Sequence, residues 1–520
     1  MRSASTLARA ADWRGVVGQP MVGATGAVVS SSRSHPWAAL LLGPALLLVF
    51  ARQIFALTDP DYWWHVRTGQ YIYETGAIPH ADFYSFTAAG QPWIAHEWLA
   101  ELLFYVVQHH AGYLGDVLLF GLVSAGTMLA VYAACRLRGV SEPGSTFLVL
   151  ASFAMAMSSV NVRPQTLTLL LLATTALVLS AYRLGRRRLA WLLPPLLVLW
   201  VNLHGGYLIG LGLIWLTCGG EIIAKIGRRP TVPIRPLLLV GGLSTLAVLV
   251  NPNGSDALRY SLEYAAGGDN GWLGYIAEWQ RPSATEPATM VFVAAVLLAV
   301  GLAAARRLPG PVEALWLLVF GALGFQAVRH LALYAVIAPP VLGAGLRPWL
   351  PPLRRPFATW RHPARLSSTW ALAVLGCSLL LFLRMSAAGA HAQTGWEPGA
   401  DGYPAGAVAY LRGHPAEGAR VFGDYAWGGY LIYSLYPERA VFIDGRIDVY
   451  GSRIGQRYAA VADVAPGWRQ ILDDEGVDIV VAKRGSRLTR ALADDPAWRE
   501  SYVGDVDQVF QRAAPDPAAA

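Results

Sequence analysis

Charged side chains are scarce in this sequence: Asp, Glu, Lys and Arg make up only 14% of 520 residues, against 54% hydrophobic, and the mean hydropathy is +0.39. Such a composition excludes a soluble globular protein, which must cover its surface with charge, and makes the bilayer the solvent for most of the chain. Cysteine is nearly absent. Cys135, Cys218 and Cys377 lie in or at the ends of apolar runs, which speaks against a disulfide framework or a cysteine metal site. No G-x-G-x-x-G, Walker motif, nucleophile elbow or H-E-x-x-H occurs, so nucleotide-binding and zinc-protease chemistry have no foothold. The apolar runs also lack charge near their centres, Glu221 and Glu313 lying near inner ends. An ion-coupled transporter would need such buried ionisable groups at the midplane.

What is present is a series of apolar runs of about 17–22 residues, the length that crosses about 30 Å of hydrocarbon. They fall near 37–57, 115–135, 144–160, 164–183, 189–203, 206–226, 235–251, 288–305, 311–328, 330–349 and 368–386. The expectation is a polytopic α-helical membrane protein with about eleven transmembrane helices. Residues 1–36 read as a cytoplasmic tail, polar and Arg-bearing, without the short apolar core and cleavage site of a signal peptide, so the first run is expected to remain as an anchor. Arginines recur in every second loop: Arg136 and Arg138, the 183–188 stretch RLGRRR, Arg228 and Arg229, Arg306 and Arg307, and the 347–365 stretch. By the positive-inside rule those loops are cytoplasmic, and an odd number of spans then places the C-terminus outside. The formal net charge of +7 is mostly this topology signal, since from His391 onward there are 13 basic and 18 acidic residues. The positive charge forms no continuous stripe, and no nucleic-acid partner is implied.

Three segments break the membrane pattern. Residues 58–114 form a first outer loop of unusual length, which marks a loop with a task. It is expected to hold a helix over 61–74, with Thr58 or Asp59 as its cap, and an interfacial helix over 96–110. Residues 251–287 form a second long outer loop rich in Gly, Asn and aromatics. The membrane part spans 37–387, and 388–520 has the hydropathy of a soluble domain. There ARVFGDY, RAVFIDG and VDIVVAKR read as buried strands, with helices near 404–413, 452–465 and 487–494, an extracytoplasmic α/β domain.

The chemistry concentrates at the outer ends. TDPDYWWHVRTGQ (58–70) carries Asp59, Asp61, His65 and Arg67, and the same loop adds His96, Glu97 and Glu101. Pro60 at a helix start and one acid in the first turn suit a cap and the helix dipole. A second acid and the histidines go beyond capping, and we read Asp61 or Asp59 as a general base or metal ligand. Glu97 would complete a divalent site with Asp61, holding Mg2+ or Mn2+ in hard oxygen ligands. Other polar outliers share that side: Asn161 and Arg163, Asn202 and His204, Asn251 and Asn253, Glu278 and Arg281, Arg329 and His330. Individually each suits a cap or turn. Together they make a polar rim in which Arg163, Arg281 and Arg329, with their forked donors, and His204, His330, His65 and His96 are candidates for binding a donor phosphate or substrate.

This pattern resembles the GT-C superfamily of integral-membrane glycosyltransferases, including polyprenyl-phosphate-sugar-dependent mannosyltransferases and oligosaccharyltransferase catalytic subunits. DPD (59–61) looks like the superfamily's first-loop acidic motif, and HEWLAE (96–101) stands where a second acid is often found. RVFGDYAWGGYLIYSLYPERAVFIDGRIDVYG (420–451) is similar to the strand, W-W-D-Y-G and strand run of the oligosaccharyltransferase subunits. It reads DYAWGGY in place of W-W-D-Y-G, with Trp427 the candidate substrate contact. The resemblance implies sugar transfer from a polyprenyl-linked donor at the outer membrane face, and not peptide N-glycosylation. The acceptor is an unidentified glycan, lipid or protein. The alternatives are a polysaccharide polymerase or ligase and a non-enzymatic envelope export or assembly protein.

Overall fold

The computed structural model describes residues 21–22, 28–29, 36–54, 59–265, 277–347, 402–415 and 419–513. The expected span at 368–386, with Cys377, lies outside them. After a short pair of strands, β1 (Met21–Val22) and β2 (Val28–Val29), the bundle runs α1 (Pro36–Ala51), α2 (Tyr62–Thr75), α3 (Trp98–Leu137), α4 (Glu142–Ala156), α5 (Pro164–Arg183), α6 (Leu193–Leu203), α7 (Tyr207–Ile226), α8 (Ile234–Ala247), α9 (Ser255–Ala265), α10 (Pro287–Ala304), α11 (Pro311–Gln326) and α12 (Leu331–Leu346). Each of the ten expected apolar runs among the described residues coincides with a helix. Among the described residues five helical segments are long and apolar enough to cross a membrane: Leu114–Leu137, Pro164–Arg183, Tyr207–Ile226, Pro287–Ala304 and Val328–Leu346. Shorter apolar helices accompany them. Exposed Leu122, Phe147, Leu246, Leu297 and Leu318 are the surface that lipid would cover.

The first loop differs from expectation in two ways. The 96–110 helix is no separate element: it forms the start of α3, which turns at Gly112 (φ 63°, a conformation open to glycine) into Leu114–Leu137. The cap of α2 is Asp61, past both expected positions, Thr58 and Asp59. Asp59 instead accepts the backbone N–H of Asp61 through Oδ1 (2.9 Å), an Asx turn that a D-P-D sequence favours.

At the opposite end of the bundle, Glu221 and Glu313 are buried but paired. Arg138 reaches Glu313 Oε1 at 2.9 Å, and Arg183 bridges Glu221 (2.6 Å) and Glu313. The basic loop residues that signal topology thus also neutralise the two acids.

The C-terminal part comprises α13 (Ala405–Gly413), β3 (Arg420–Gly423), α14 (Gly428–Leu435), β4 (Ala440–Val441), α15 (Ile447–Ala462), α16 (Trp468–Asp474), β5 (Ile479–Lys483), α17 (Arg487–Ala493), β6 (Trp498–Val503) and β7 (Asp507–Arg512). The sheet order is β4-β3-β5-β7-β6, with β3 parallel to β4 and β5 and the last two strands antiparallel. The three expected strands are its parallel part, and β6 and β7 were not anticipated. The first loop docks on this sheet as an extra edge: Val441 N–H donates to Tyr84 O and Phe86 N–H to Val441 O, both 3.1 Å, with Ser85 bridging Val441. The Trp63 ring packs against Tyr403, Tyr430 and Tyr433, and Tyr403 OH donates to Asp59 O (2.9 Å). The buried Trp63 thus anchors the first loop to the sheet domain.

Candidate active site

Pro164 sets the position of the central residue. A proline disfavours the helical region for its predecessor, and Arg163 is extended (φ −144°, ψ 150°), so its side chain leaves the axis of α5 and crosses toward the first loop. There it binds three carboxylates. Nε lies 2.8 Å from Asp59 Oδ2, one terminal nitrogen donates to Asp61 Oδ2, and the other lies 2.9 Å from Glu278 Oε2. The second oxygen of Glu278 contacts Arg329 (3.3 Å), whose guanidinium also lies 4.4 Å from the Trp279 ring centre. Asp61 Oδ1 accepts from Trp64 Nε1 at 3.2 Å.

Trp64 joins this half to a second one, its ring 3.7 Å from that of His65. Glu97 there faces three imidazoles: His204 Nε2 at 3.3 Å, His65 Nε2 at 3.6 Å and His96 Nε2 at 3.7 Å. The His204 tautomer follows from its other nitrogen. Nδ1 accepts the Gly206 N–H at 2.8 Å, so a neutral ring carries its proton on Nε2, toward Glu97. Behind His65 the buried Glu101 approaches Nδ1 at 3.6 Å.

Burial governs the ionisation. It raises Asp59 to about 7 against the pull of Arg163, with Asp61 and Glu278 adding to the rise. Asp61 is likewise raised by burial, Arg163 opposing. Glu97 is raised by burial, and Glu101 more strongly, with Glu97 adding. His65 and His204 are both pushed well down by burial and neighbouring cations, and stay neutral. Two arginines cannot balance three carboxylates, and the resulting preference is for a proton on the Asp59–Asp61 pair near neutrality.

Of the sequence candidates, Asp59, Asp61, Arg163, Arg329, His65, His96, His204 and Glu97 come together here. His330 stands at the edge, bonded through Nδ1 to Leu323 O at 3.0 Å with its ring near Trp279. Arg281 stays exposed and outside the ion-pair chain. Trp427 is buried, its indole donating to Gly402 O at 2.7 Å. Burial pushes the hydroxyl of its neighbour Tyr425 up, with Asp61 and Asp444 adding to the rise. A divalent ion shared by Asp61 and Glu97 does not fit: Asp61 is committed to Arg163 and Trp64, Glu97 to imidazoles. Among the described residues no three His, Cys, Asp or Glu side chains converge to hold a metal ion.

Sequence reasoning did not assign Glu278 beyond the rim, nor Tyr260 and Asp448. The Tyr260 ring lies tilted against that of His96, 4.9 Å between centres, and Asp448 adds to the rise of Glu97. Gly445 touches Asp61: a Cβ there would fall 1.7 Å from Oδ1. The FIDGRID turn after β4, read as a strand end, thus forms one wall of the site. An acid-rich turn straight after a buried strand was the available signal.

No family model matches the chain, and no curated protein does. Solved structures do. The oligosaccharyltransferase AglB from Archaeoglobus fulgidus, tethered to an acceptor peptide, superposes with a TM-score of 0.52 at 12% identity over 87% of this chain and 69% of that one. ArnT from Cupriavidus metallidurans, bound to undecaprenyl phosphate, gives 0.51 at 15% over 92% and 98%. The mycobacterial arabinofuranosyltransferase AftD gives 0.50 at 17% over 96% of this chain and 41% of that one. The chain therefore shares the fold of these solved structures, a helical bundle followed by a C-terminal sheet region.

Proposed function

We propose that this protein is a GT-C-type glycosyltransferase of the plasma or inner membrane, which moves a sugar from a polyprenyl phosphate or diphosphate to an acceptor at the outer face. The observation that carries the reading is the first-loop acid Asp61, part-buried beside a fixed guanidinium and walled by the sheet domain. ArnT and AglB structures contain undecaprenyl phosphate and dolichol-phosphate respectively, and the basic rim here suits the same headgroup chemistry. In this reading eleven spans put the N-terminus inside and residues 388–520 outside.

The acceptor hydroxyl oxygen forms the new bond to the anomeric carbon as the bond from that carbon to the phosphate oxygen breaks, with inversion. The phosphate leaves with the electron pair, and the hydroxyl proton passes to Asp61. A carboxylate raised by burial is a better proton acceptor at neutral pH than one at its ordinary value. Glu97, with His204 directing an N–H at it, orients the acceptor. Arg329 offsets charge on the departing phosphate, since its only carboxylate contact among the described residues is the long one to Glu278. Incubating the purified protein with labelled polyprenyl-linked sugars, with and without chelator, tests the reading; no transfer from any of them would overturn it.

Two outcomes follow. Arg329→Ala should lower kcat and kcat/KM for the lipid donor together by about 10- to 100-fold, the loss expected for one charged hydrogen bond of about 1.5–3 kcal/mol made as the phosphate departs, read from donor titrations. Activity should also rise with pH along an ascending limb displaced above the ordinary carboxylate range, because burial raises Asp61 and the base must be free. A kcat/KM profile flat from pH 5 to 8 would contradict it.

A further inference from the structure

We infer that the first-loop acids of this chain hold the Arg163 guanidinium in place of a divalent cation, and that transfer, on the functional reading above, proceeds around that fixed organic charge. Three carboxylates from separate parts of the chain, Asp59, Asp61 and Glu278, supply the hard oxygen donors that a divalent cation takes, but each is turned to a different nitrogen of one guanidinium and they do not meet at a common point. The space between them is already filled. Every donor edge of the guanidinium faces a carboxylate, at 2.8 Å for Asp59 and 2.9 Å for Glu278 with Asp61 closing the third side.

The remaining oxygens are engaged as well. Asp59 Oδ1 takes the Asp61 N–H, Asp61 Oδ1 the Trp64 indole, and Glu278 Oε1 Arg329. A metal ion would need these oxygens at about 2.0–2.6 Å from its own centre. The guanidinium holds them farther apart, and admitting an ion would mean expelling a side chain that Pro164 directs inward. Removing a positive charge held by three carboxylates is costly, since the carboxylates would be left uncompensated in a buried setting. The other expected ligand, Glu97, lies in the histidine half of the site.

The consequence is a positive charge that is covalently part of the chain and indifferent to chelators. Arg163 acts on the reaction by placing Asp61, so it is a positioning residue. Manganese paramagnetic resonance tests this without any turnover. Full-length protein in nanodiscs at pH 7 is titrated with Mn2+, and the free-ion signal is followed for the wild type, Asp61→Asn and Arg163→Gln.

The wild type should leave the Mn2+ signal unchanged, and Arg163→Gln, with its three carboxylates uncovered, should remove about one ion per chain. Uptake of one ion by the wild type that disappears in Asp61→Asn would overturn the inference. So would an Arg163→Gln protein that folds and takes up none. Where that variant fails to fold, the wild-type and Asp61→Asn titrations decide between the two outcomes alone. A protein inactive toward every polyprenyl-linked sugar would sink the transferase reading and leave this titration unaffected.

Discussion

Asp61→Asn should lower sugar transfer by about 10²–10⁴-fold, the usual contribution of a general base, while the protein folds at least as well as the wild type. The second half of that expectation distinguishes chemistry from damage. Asparagine keeps the size of the side chain, and its amide oxygen can still accept from Trp64. Arg163 keeps Asp59 and Glu278. One negative charge is lost from a cluster where three carboxylates face two arginines, so mutual repulsion falls and the thermal midpoint should hold or rise. Transfer of a labelled sugar and thermal unfolding, measured on the same preparation, check both halves. Full activity in the variant would remove Asp61 as base and turn attention to Glu97, whose carboxylate faces imidazoles and no guanidinium.

Much of this site was legible because lipid imposes a strict rule on sequence. A polar side chain at the end of an apolar run needs a reason, and Asp59, Asp61, Arg163, His204 and Arg329 stand out on that ground alone. Counting arginines in alternate loops led to the expectation that they share one end of the bundle, and the structure brings them together there. What each one touches was not legible. A forked guanidinium suits carboxylate as well as phosphate, and only the fold brings Glu278 to Arg163 across 115 positions.

The helices were readable for a related reason: long apolar stretches leave little choice but to satisfy their backbone internally. The short strands β6 and β7 were harder. Trp498–Val503 is mostly exposed or half-buried, so it lacks the apolar signature that marked the buried β5. The cap of α2 falls past both expected positions because D-P-D offers two acids for one role, and the pairing with Arg163 drew both into the site.

Arg446→Ala should be the most destabilising single change in the sheet domain and should cost activity through structure. The side chain is buried, with its guanidinium 2.8 Å from Asp82 and 2.7 Å from Asp444, and it stacks 4.6 Å from the Trp93 ring centre and 5.0 Å from that of Tyr84. Asp82, Tyr84 and Trp93 belong to the first loop, Asp444 to the turn that carries Gly445 against Asp61. Truncation therefore strands two buried carboxylates and frees the wall of the site at once. Breaking such a pair typically costs about 3–5 kcal/mol, because the charge left behind is uncompensated. The thermal midpoint should fall sharply, and transfer should drop although no reacting group has changed. Adding Asp82→Asn and Asp444→Asn to Arg446→Ala removes the stranded charges and should recover much of the midpoint, while activity stays low because the wall remains unpinned. Recovery of both together would place the whole effect in the buried charge and none in the docking of the loop.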